Sequence, residues 1–225
     1  MAAVHEGLAT HGDAVFSHRQ THGKGQRGKV WQSSEGLNIA LSIILKPIHL
    51  RITHPFQLSA AIALGVFDFV NRYAGEQTTI KWPNDIYWRD RKAGGILIEN
   101  VISGSKWKWA VAGIGLNINQ TEFNDTIRNA VSLKQITGKD FDVEKLAAEL
   151  HQLIMLRTQT LLTRSYDALL KEYEEHLYKR NCFVKLKKSD IIFETQVKGI
   201  TPEGRLFTQD IIDNEFEFGE IEWML

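Results

Sequence analysis

The sequence predicts an α+β protein in two parts, a larger part over residues 1–180 and a small all-β part over residues 181–225. Strand and helix patterns alternate irregularly over the first part. After Asn181 only short strand patterns follow, separated by turn residues, and this spacing predicts a small β-barrel. No apolar run is long enough to cross a membrane, and no signal-peptide pattern opens the sequence. We therefore expect a soluble, cytoplasmic protein.

Local patterns place the elements of the larger part. Apolar or alternating runs bounded by Gly, Ser or turn residues predict strands at Ala14–Ser17, Leu37–Leu45, Thr78–Trp82, Tyr87–Trp88, Gly94–Val101 and Lys106–Val111. Pro55 suits the first turn of a helix, whose apolar residues keep helical spacing up to Phe69. Asp142 is the expected N-cap of a second helix, and Tyr166–Leu177 is the third. Arg89–Ala93 is the expected tip of a hairpin.

The expected barrel has four strands joined by turns. The strands are Phe183–Lys187, Ile191–Lys198, Arg205–Gln209 and Glu215–Glu220. The turns between them are Lys188–Asp190, Pro202–Gly204 and Asp213–Asn214. The division between the two parts is therefore expected near Arg180.

Charge and cysteine content exclude several classes of protein. Basic and acidic residues both number 27, so the net charge gives no indication of a polyanionic partner. The single cysteine, Cys182, excludes an internal disulfide and fits a reducing compartment. With no activating neighbour in the sequence, Cys182 is expected to be a partly buried structural residue.

The most informative segment is the glycine-rich loop, Gln20–Trp31, which reads QTHGKGQRGKVW. Its glycines allow tight turns and can direct backbone N–H groups at an anion. The glycines and basic residues of the loop are Gly23, Gly25, Gly28, Lys24, Arg27 and Lys29, and it contains no acidic residue. Such a loop suits a phosphate or carboxylate ligand. On composition alone, a mobile solvated surface loop is an equal alternative.

A P-loop is the competing interpretation of these glycines. Gly23–Lys29 matches that motif up to its last position, where Val30 replaces the Ser or Thr that would hold magnesium. A P-loop must also lead into a helix, whereas the expected element after this loop is a strand. Both differences exclude a P-loop.

Three further segments place polar residues near strand ends. They are Lys81–Asp85 (KWPND), Arg91–Leu97 (RKAGGIL) and Gly113–Asn119 (GIGLNIN). Taken alone, Asn84, Asp85 and Asn117 are ordinary turn formers, and a lysine at a hairpin tip is usually solvated. Lys92, however, stands beside paired glycines that let a ligand approach closely, and Asn117 can hydrogen-bond a phosphate or ribose. Each segment is weak alone, but their order is informative.

In this order the four segments resemble the biotin protein ligases. That family shows a G-R-G-R-x-G-R-x-W loop, then K-W-P-N-D, K-x-x-G-I-L and G-x-G-x-N, which correspond here to Gly23–Trp31, Lys81–Asp85, Lys92–Leu97 and Gly113–Asn117. The resemblance extends from Ala14 to the end of the sequence and includes Gly219-Glu220-Ile221. It implies a class II synthetase-like fold, in which a mixed sheet with packed helices is followed by an SH3-like barrel.

The resemblance also implies a reaction. Biotin would be activated with ATP to biotinyl-5'-AMP and transferred to a lysine of a biotin carboxyl carrier protein, a subunit of acetyl-CoA carboxylase or a related enzyme. Mg²⁺ is expected, and a homodimer is left open. Because two anions meet in the first step, fixed positive charge and positioning matter more than a covalent nucleophile.

The resemblance assigns roles to individual residues. Lys92 would be the central catalytic residue, touching the biotin carboxylate and the α-phosphate, while Asp85 would orient Lys92 or assist Mg²⁺. The implied biotin-binding residues are Gln20, Gly23, Lys24, Gly25, Gln26 and Lys92. The implied nucleotide-binding residues are Arg27, Lys29, Trp31, Asn84, Lys92 and Asn117.

The sequence departs from the family pattern in three places. Lys24 and Lys29 replace arginines, which keeps the charge but loses the bidentate fork, and Gln26 replaces a further arginine. The family's Ser/Thr-Thr-Asn segment precedes the loop, but Met1–Leu8 has the pattern of a helix end. We therefore expect a truncated form whose upstream extension supplies that segment. With no room for a DNA-binding helix-turn-helix, a ligase without repressor function and without a DNA partner is expected.

Two alternatives to a biotin ligase stay open. A lipoate ligase-like acyltransferase shares the superfamily fold but is expected to lack the KWPND segment. A non-catalytic domain that binds biotin or a nucleotide gains weight from the missing N-terminal segment.

Overall fold

The computed structural model describes residues 1, 4, 6–50, 53–104, 106–124, 129–163 and 165–224. Its larger sheet is built from β1 (Ala14–Phe16), β2 (Asn38–Leu45), β3 (Thr78–Lys81), β4 (Asp85–Trp88), β5 (Arg91–Ser103) and β6 (Lys106–Asn117). Their order is β1-β2-β6-β5-β4-β3, and each neighbouring pair is antiparallel. Parallel pairing enters at two isolated bridges, Ile80–Leu177 and Lys92–Ala130. The expected α+β class is confirmed.

The helices are α1 (Phe56–Ala74), α2 (Leu133–Thr137), α3 (Val143–Thr160) and α4 (Tyr166–Glu175). Asp142 caps α3 as expected, because its carboxylate accepts the N–H of Lys145 at 3.1 Å. Helix α1 is buried over most of its surface and forms the centre of the core. Gly65 allows α3 to approach it, since a Cβ at that position would lie 3.0 Å from Cα of Ile154.

Two ion pairs of one arginine connect three helices. Arg157 of α3 donates to Asp68 of α1 at 2.5 and 2.9 Å and pairs with Glu172 of α4 at 2.7 Å. Asp68 interrupts an otherwise apolar run of α1, and this ion pair compensates for its partial burial. Helices α1, α3 and α4 are thereby joined to one another.

The C-terminal part is a five-stranded antiparallel sheet. Its strands are β7 (Phe183–Lys188), β8 (Ile191–Ile200), β9 (Leu206–Gln209), β10 (Asp213–Phe216) and β11 (Glu222–Trp223). In the described residues the hydrogen-bonded order is β10-β9-β8-β7-β11, so β10 and β11 are its edges. Asp213 and Asn214 were expected in a turn but lie within β10. The turn comes earlier, because the Asp210 carboxylate accepts the N–H of Ile212 at 2.9 Å and closes it.

The two sheets share one hydrophobic core, which includes Leu186 and Val197 of the smaller sheet together with α1. The KWPND turn lies at their junction. The indole N–H of Trp82 donates to the Gly204 carbonyl at 2.9 Å, and the Tyr173 hydroxyl donates to the Pro83 carbonyl at 3.1 Å. The C-terminal sheet therefore supports this turn directly. The division of domains at residues 180 and 181 stays a prediction.

Several local expectations differ from the structure. The β4–β5 turn is formed by Arg89, with φ of 54°, and Asp90, so Lys92 lies within β5 and not at a hairpin tip. Helix α4 ends at Glu175 and not at Leu177. Cys182 is exposed rather than partly buried, because it stands in the turn before β7.

The expected N-terminal helix end falls partly outside the described residues, since positions 2, 3 and 5 are not among them. Within the described ranges, none of the helices combines the length and the apolar character needed to cross a membrane.

Candidate active site

The glycine-rich loop folds back on itself as a tight hairpin. Lys24 bridges Val30, the Gly25 N–H donates to the Lys29 carbonyl at 2.6 Å, and the Trp31 N–H donates to the Gly23 carbonyl at 2.9 Å. These N–H groups were expected to face an anion, but they hold the loop closed instead. The N–H groups of Gly25 and Trp31 are therefore not available to an anion. The side chains of Lys24, Arg27 and Lys29 line the cavity and can bind one.

Gly23 has a packing role in this loop. A Cβ there would overlap the Trp31 carbonyl and lie 2.9 Å from Oε1 of Gln20. Gly23 is buried within the loop. A glycine is needed there because no space is left for a side chain. Its expected direct contact with biotin stays a prediction.

Lys92 and Asp85 form an ion pair between adjacent strands. Lys92 Nζ lies 2.7 Å from Oδ1 of Asp85, with side chains 31% and 22% exposed. Both lie against Gly95, where a Cβ would stand 3.1 Å from the carboxylate and 3.3 Å from Nζ. Gly95 thus makes room for this ion pair, whereas a Cβ on Gly94 would overlap the side chain of Leu116. The arrangement favours Asp85 as the group that orients Lys92, and its alternative role toward Mg²⁺ stays open.

The backbone of Lys92 is fixed as well. Its N–H donates to the Asn129 carbonyl at 2.6 Å, and its carbonyl accepts the Val131 N–H at 2.9 Å. The buried Asn117 amide donates to the carbonyls of Val131 at 3.2 Å and Lys92 at 3.4 Å. Asn117 therefore supports the strand that carries Lys92. Its predicted contact with a nucleotide would have to use the other amide atom, Oδ1.

Asn84 and Gln26 meet at the carbonyl of Ile96 in β5. The Asn84 side chain donates to it at 2.6 Å, and Gln26 Nε2 donates to it at 3.5 Å. The Asn84 carbonyl in turn accepts the Ile96 N–H at 2.9 Å. The tip of the loop is therefore docked beside the KWPND turn, although the two are far apart in sequence.

Trp31 lies beneath Lys92 and against Gly115. The Lys92 ammonium is 5.9 Å from the centre of the indole, and a Cβ on Gly115 would come within 2.5 Å of that ring. The indole N–H is buried and has no hydrogen-bond partner among the described residues. An unpaired buried donor costs on the order of 1–3 kcal/mol, so this group is suited to a ligand acceptor.

These residues surround one cavity of about 1030 Å³. Eleven of the twelve site residues expected from the sequence line it, and Gly23 does not. Five basic side chains face it (Lys24, Arg27, Lys29, Lys81 and Lys92) against three acidic ones (Asp85, Glu99 and Glu222). A neutral chain thus concentrates positive charge at one cavity, which suits anionic ligands.

Comparison with known proteins agrees with this geometry. The model of the biotin/lipoate A/B protein ligase family matches residues 5–117. The chain belongs to this family. The bifunctional ligase/repressor BirA of Bacillus subtilis is 31% identical over 205 residues, which cover 89% of this chain and 62% of BirA. The chain therefore spans less than two thirds of the length of that relative.

One solved structure and one further sequence relative extend the match. The biotin protein ligase from Aquifex aeolicus in complex with biotin and ATP superposes with a TM-score of 0.81 at 26% identity. The match covers 96% of this chain and 90% of that one. A biotin–[acetyl-CoA-carboxylase] ligase of Paracoccus denitrificans is 34% identical over 106 residues, which cover 46% of this chain and 43% of the relative.

In this family member, sequence reasoning missed the part of the cavity wall that comes from the C-terminal sheet. Phe218, Gly219, Ile221, Glu222 and Trp223 line the cavity. The resemblance includes Gly219-Glu220-Ile221 but gave these residues no role in the site. The guanidinium carbon of Arg27 lies 3.1 Å from the place that a Cβ on Gly219 would take. The loop tip therefore reaches the C-terminal sheet and closes one side of the site.

Sequence reasoning also missed Lys81, although it begins the KWPND segment. Lys81 pairs in register with Asp85, and this spacing could have placed both side chains on one face of the β3–β4 hairpin. Burial lowers the pKa of Lys81 to about 8; Asp85 opposes the shift, while Lys92 and Lys29 add to it. A lysine with such a pKa in a cavity is a candidate functional group.

Proposed function

We propose that this protein is a biotin protein ligase that activates biotin with ATP and transfers it to a lysine of a biotin carboxyl carrier protein. The observation that carries this proposal is the Lys92–Asp85 ion pair, held against Gly95 and facing the cationic loop across one cavity. At about 1030 Å³ the cavity is at the upper end of the usual range for small-molecule sites. It is therefore large enough for two substrates side by side.

In the first step a biotin carboxylate oxygen attacks the α-phosphorus of ATP. A new O–P bond forms, the bond to the β-phosphate oxygen breaks, and pyrophosphate leaves. Lys92 is placed to offset the charge on the carboxylate and the α-phosphate together. The loop residues Lys24, Arg27 and Lys29 supply further positive charge, which lowers the repulsion between the two anions.

In the second step the uncharged ε-amine of the carrier lysine attacks the carbonyl carbon of the mixed anhydride. The C–O bond to the phosphate breaks, AMP leaves, and the attacking nitrogen loses a proton to solvent. This step needs positioning rather than a protein nucleophile. The buried Trp31 N–H and the Asn84 turn beside Ile96 are suited to holding the intermediate in place until the carrier arrives.

The substrates and partner are supported by the relatives. The Aquifex aeolicus structure contains biotin and ATP, and the Paracoccus denitrificans relative is named for acetyl-CoA carboxylase. Within the described ranges, no three His, Cys, Asp or Glu side chains are grouped to hold a metal ion. We therefore propose that Mg²⁺ arrives on the ATP phosphates, with Asp85 as the nearest protein carboxylate to Lys92. The proposed site of action is the cytoplasm, since the reaction consumes ATP.

The decisive experiment is exchange of labelled pyrophosphate into ATP, with biotin or lipoate as the acid. We expect exchange with biotin and none with lipoate, followed by biotinylation of an added carrier domain. Exchange with lipoate alone would instead identify a lipoate ligase-like enzyme. Biotin binding by calorimetry without any exchange would identify a non-catalytic binding domain.

A further inference from the structure

The ammonium group of Lys81 lies close to two aromatic rings from different parts of the chain. Its ammonium donates to the Tyr87 hydroxyl at 3.1 Å and lies 4.8 Å from the centre of that ring. The same ammonium lies 5.4 Å from the centre of the Trp223 ring, which belongs to β11 of the C-terminal sheet. Cation–π contacts of this kind orient an ammonium group as well as stabilise it.

Trp223 is itself fixed in place. Its strand pairs with β7, where Trp223 stands opposite Leu186. Its ring also packs on Tyr178 at 5.7 Å, and Tyr178 packs on Tyr87 at 5.1 Å. The C-terminal sheet thereby contributes one of the two aromatic rings beside Lys81.

Among the described residues, no carboxylate forms an ion pair with Lys81. The nearest acidic group that acts on it, Asp85, is committed to Lys92 at 2.7 Å. Burial, Lys92 and Lys29 all act against its positive charge, and its pKa falls to about 8 as a result. An ammonium in such surroundings is stabilised when an anion of high charge enters the cavity that it lines.

We propose that Lys81 contacts the pyrophosphate portion of the nucleotide during adenylate formation, and that Trp223 is the positioning residue that aims it there. This inference rests on the proposed function. Lys92 is occupied by the carboxylate and the α-phosphate, so a second fixed cation is needed for the charge that develops on the departing pyrophosphate. Lys81 shares a face of the β3–β4 hairpin with Asp85, whose carboxylate holds Lys92, so the two cations stand on either side of one acid.

The test is pyrophosphate exchange by Lys81→Gln in the whole chain. We expect the pyrophosphate concentration for half-maximal exchange to rise about tenfold or more, because a charge-assisted contact is lost. Biotin affinity, and transfer from chemically prepared biotinyl-adenylate to the carrier, should stay within about twofold of wild type, since neither involves pyrophosphate. If Lys81→Gln fails to fold, Lys81→Met is the second variant, because it keeps an aliphatic side chain beside the two rings.

Trp223 variants test the positioning role. Trp223→Leu should raise the pyrophosphate concentration for half-maximal exchange several-fold. Trp223→Phe should bring this concentration most of the way back to the wild-type value, because a ring again lies beside the ammonium. Lys106→Gln is the control, because it removes the same charge at an exposed site on β6. It should leave pyrophosphate exchange unchanged.

Two results would overturn the assignment. If Lys81→Gln needs a pyrophosphate concentration for half-maximal exchange within about twofold of wild type, Lys81 does not contact pyrophosphate. An equal fall in transfer from preformed adenylate would show a general structural effect instead. Wild-type protein without any biotin-dependent exchange would overturn the proposed function itself, and this role with it.

Discussion

The ammonium group of Lys92 lies 2.7 Å from a carboxylate oxygen of Asp85, across the β4–β5 pair and against Gly95. The main chain of Lys92 is held separately by Asn129 and Val131. The cation is therefore fixed at both ends of its side chain. A group held in this way loses little freedom when a reacting anion binds, and this is the condition for electrostatic catalysis by a preorganised charge.

Lys92→Ala should slow biotin adenylation on the order of 100-fold, which corresponds to roughly 3 kcal/mol of transition-state stabilisation. The ion pair is partly exposed, so the loss of stability should be only about 1 kcal/mol or less. Single-turnover adenylation and thermal unfolding measure the two effects. The double variant Lys92→Ala with Asp85→Asn separates loss of the cation from the cost of an unpaired carboxylate. Adenylation within a few-fold of wild type would refute the catalytic role.

Gln26→Arg should slow the escape of biotinyl-adenylate about tenfold, or ~1.5 kcal/mol, because it restores a charged donor at the loop tip. Gln26 already reaches the Ile96 carbonyl at 3.5 Å, so the longer side chain begins from a docked position. Release of preformed adenylate is the measurement, with Gln26→Ala as control. An unchanged or faster release from the arginine variant would mean that this side chain does not face the intermediate.

Trp31→Phe should leave the stability of the free protein nearly unchanged. Removal of an indole N–H that has no partner among the described residues offsets the packing lost with the smaller ring. If the adenylate accepts from that N–H, its affinity should fall by about 1–1.5 kcal/mol, or roughly tenfold. Calorimetric titration with a non-hydrolysable adenylate analogue measures the affinity. Equal affinity for both proteins would place the ligand away from Trp31.

Pyrophosphate exchange should depend on pH through Lys81. Its pKa is lowered to about 8, chiefly by burial, so the ammonium is mostly charged below pH 8 and loses its charge above. The groups around it are Asp85, Lys92, Lys29 and the Tyr87 phenol, whose own pKa is raised by burial so that it stays protonated.

We therefore expect the pyrophosphate concentration for half-maximal exchange to rise between pH 7 and 9 in wild type, since binding weakens as Lys81 loses its charge. The same measurement on Lys81→Gln separates this effect from the titration of pyrophosphate itself. An identical pH profile for the variant would rule out Lys81 as the source.

Arg157→Met should destabilise the fold by about 2–3 kcal/mol, because it leaves the partly buried Asp68 without its partner while keeping most of the side-chain volume. Denaturant unfolding measures the change. The double variant with Asp68→Asn should recover much of the loss, since residue 68 then carries no charge that needs a partner. A single variant as stable as wild type would show that the ion pair contributes nothing to helix packing.

The sequence by itself determined most of the secondary-structure elements and eleven of the residues that line the cavity. Apolar spacing, the Asp142 cap and the Pro83 turn depend on near neighbours in the chain, so these elements formed where the patterns predicted them. The ordered glycine and lysine segments likewise pointed to Lys92, Asp85 and Trp31, and all three line one cavity.

Tertiary structure alone decided which distant groups meet at that cavity. Trp223 stands over Lys81, Gly219 lies beside Arg27, and Asn117 supports the strand of Lys92. No periodicity or turn signal encodes these contacts, because they arise when the two sheets bury their apolar faces in one core. The same packing turned the expected solvated lysine into a fixed one, since the 129–131 segment binds its backbone only after the chain has folded around β5 and β6.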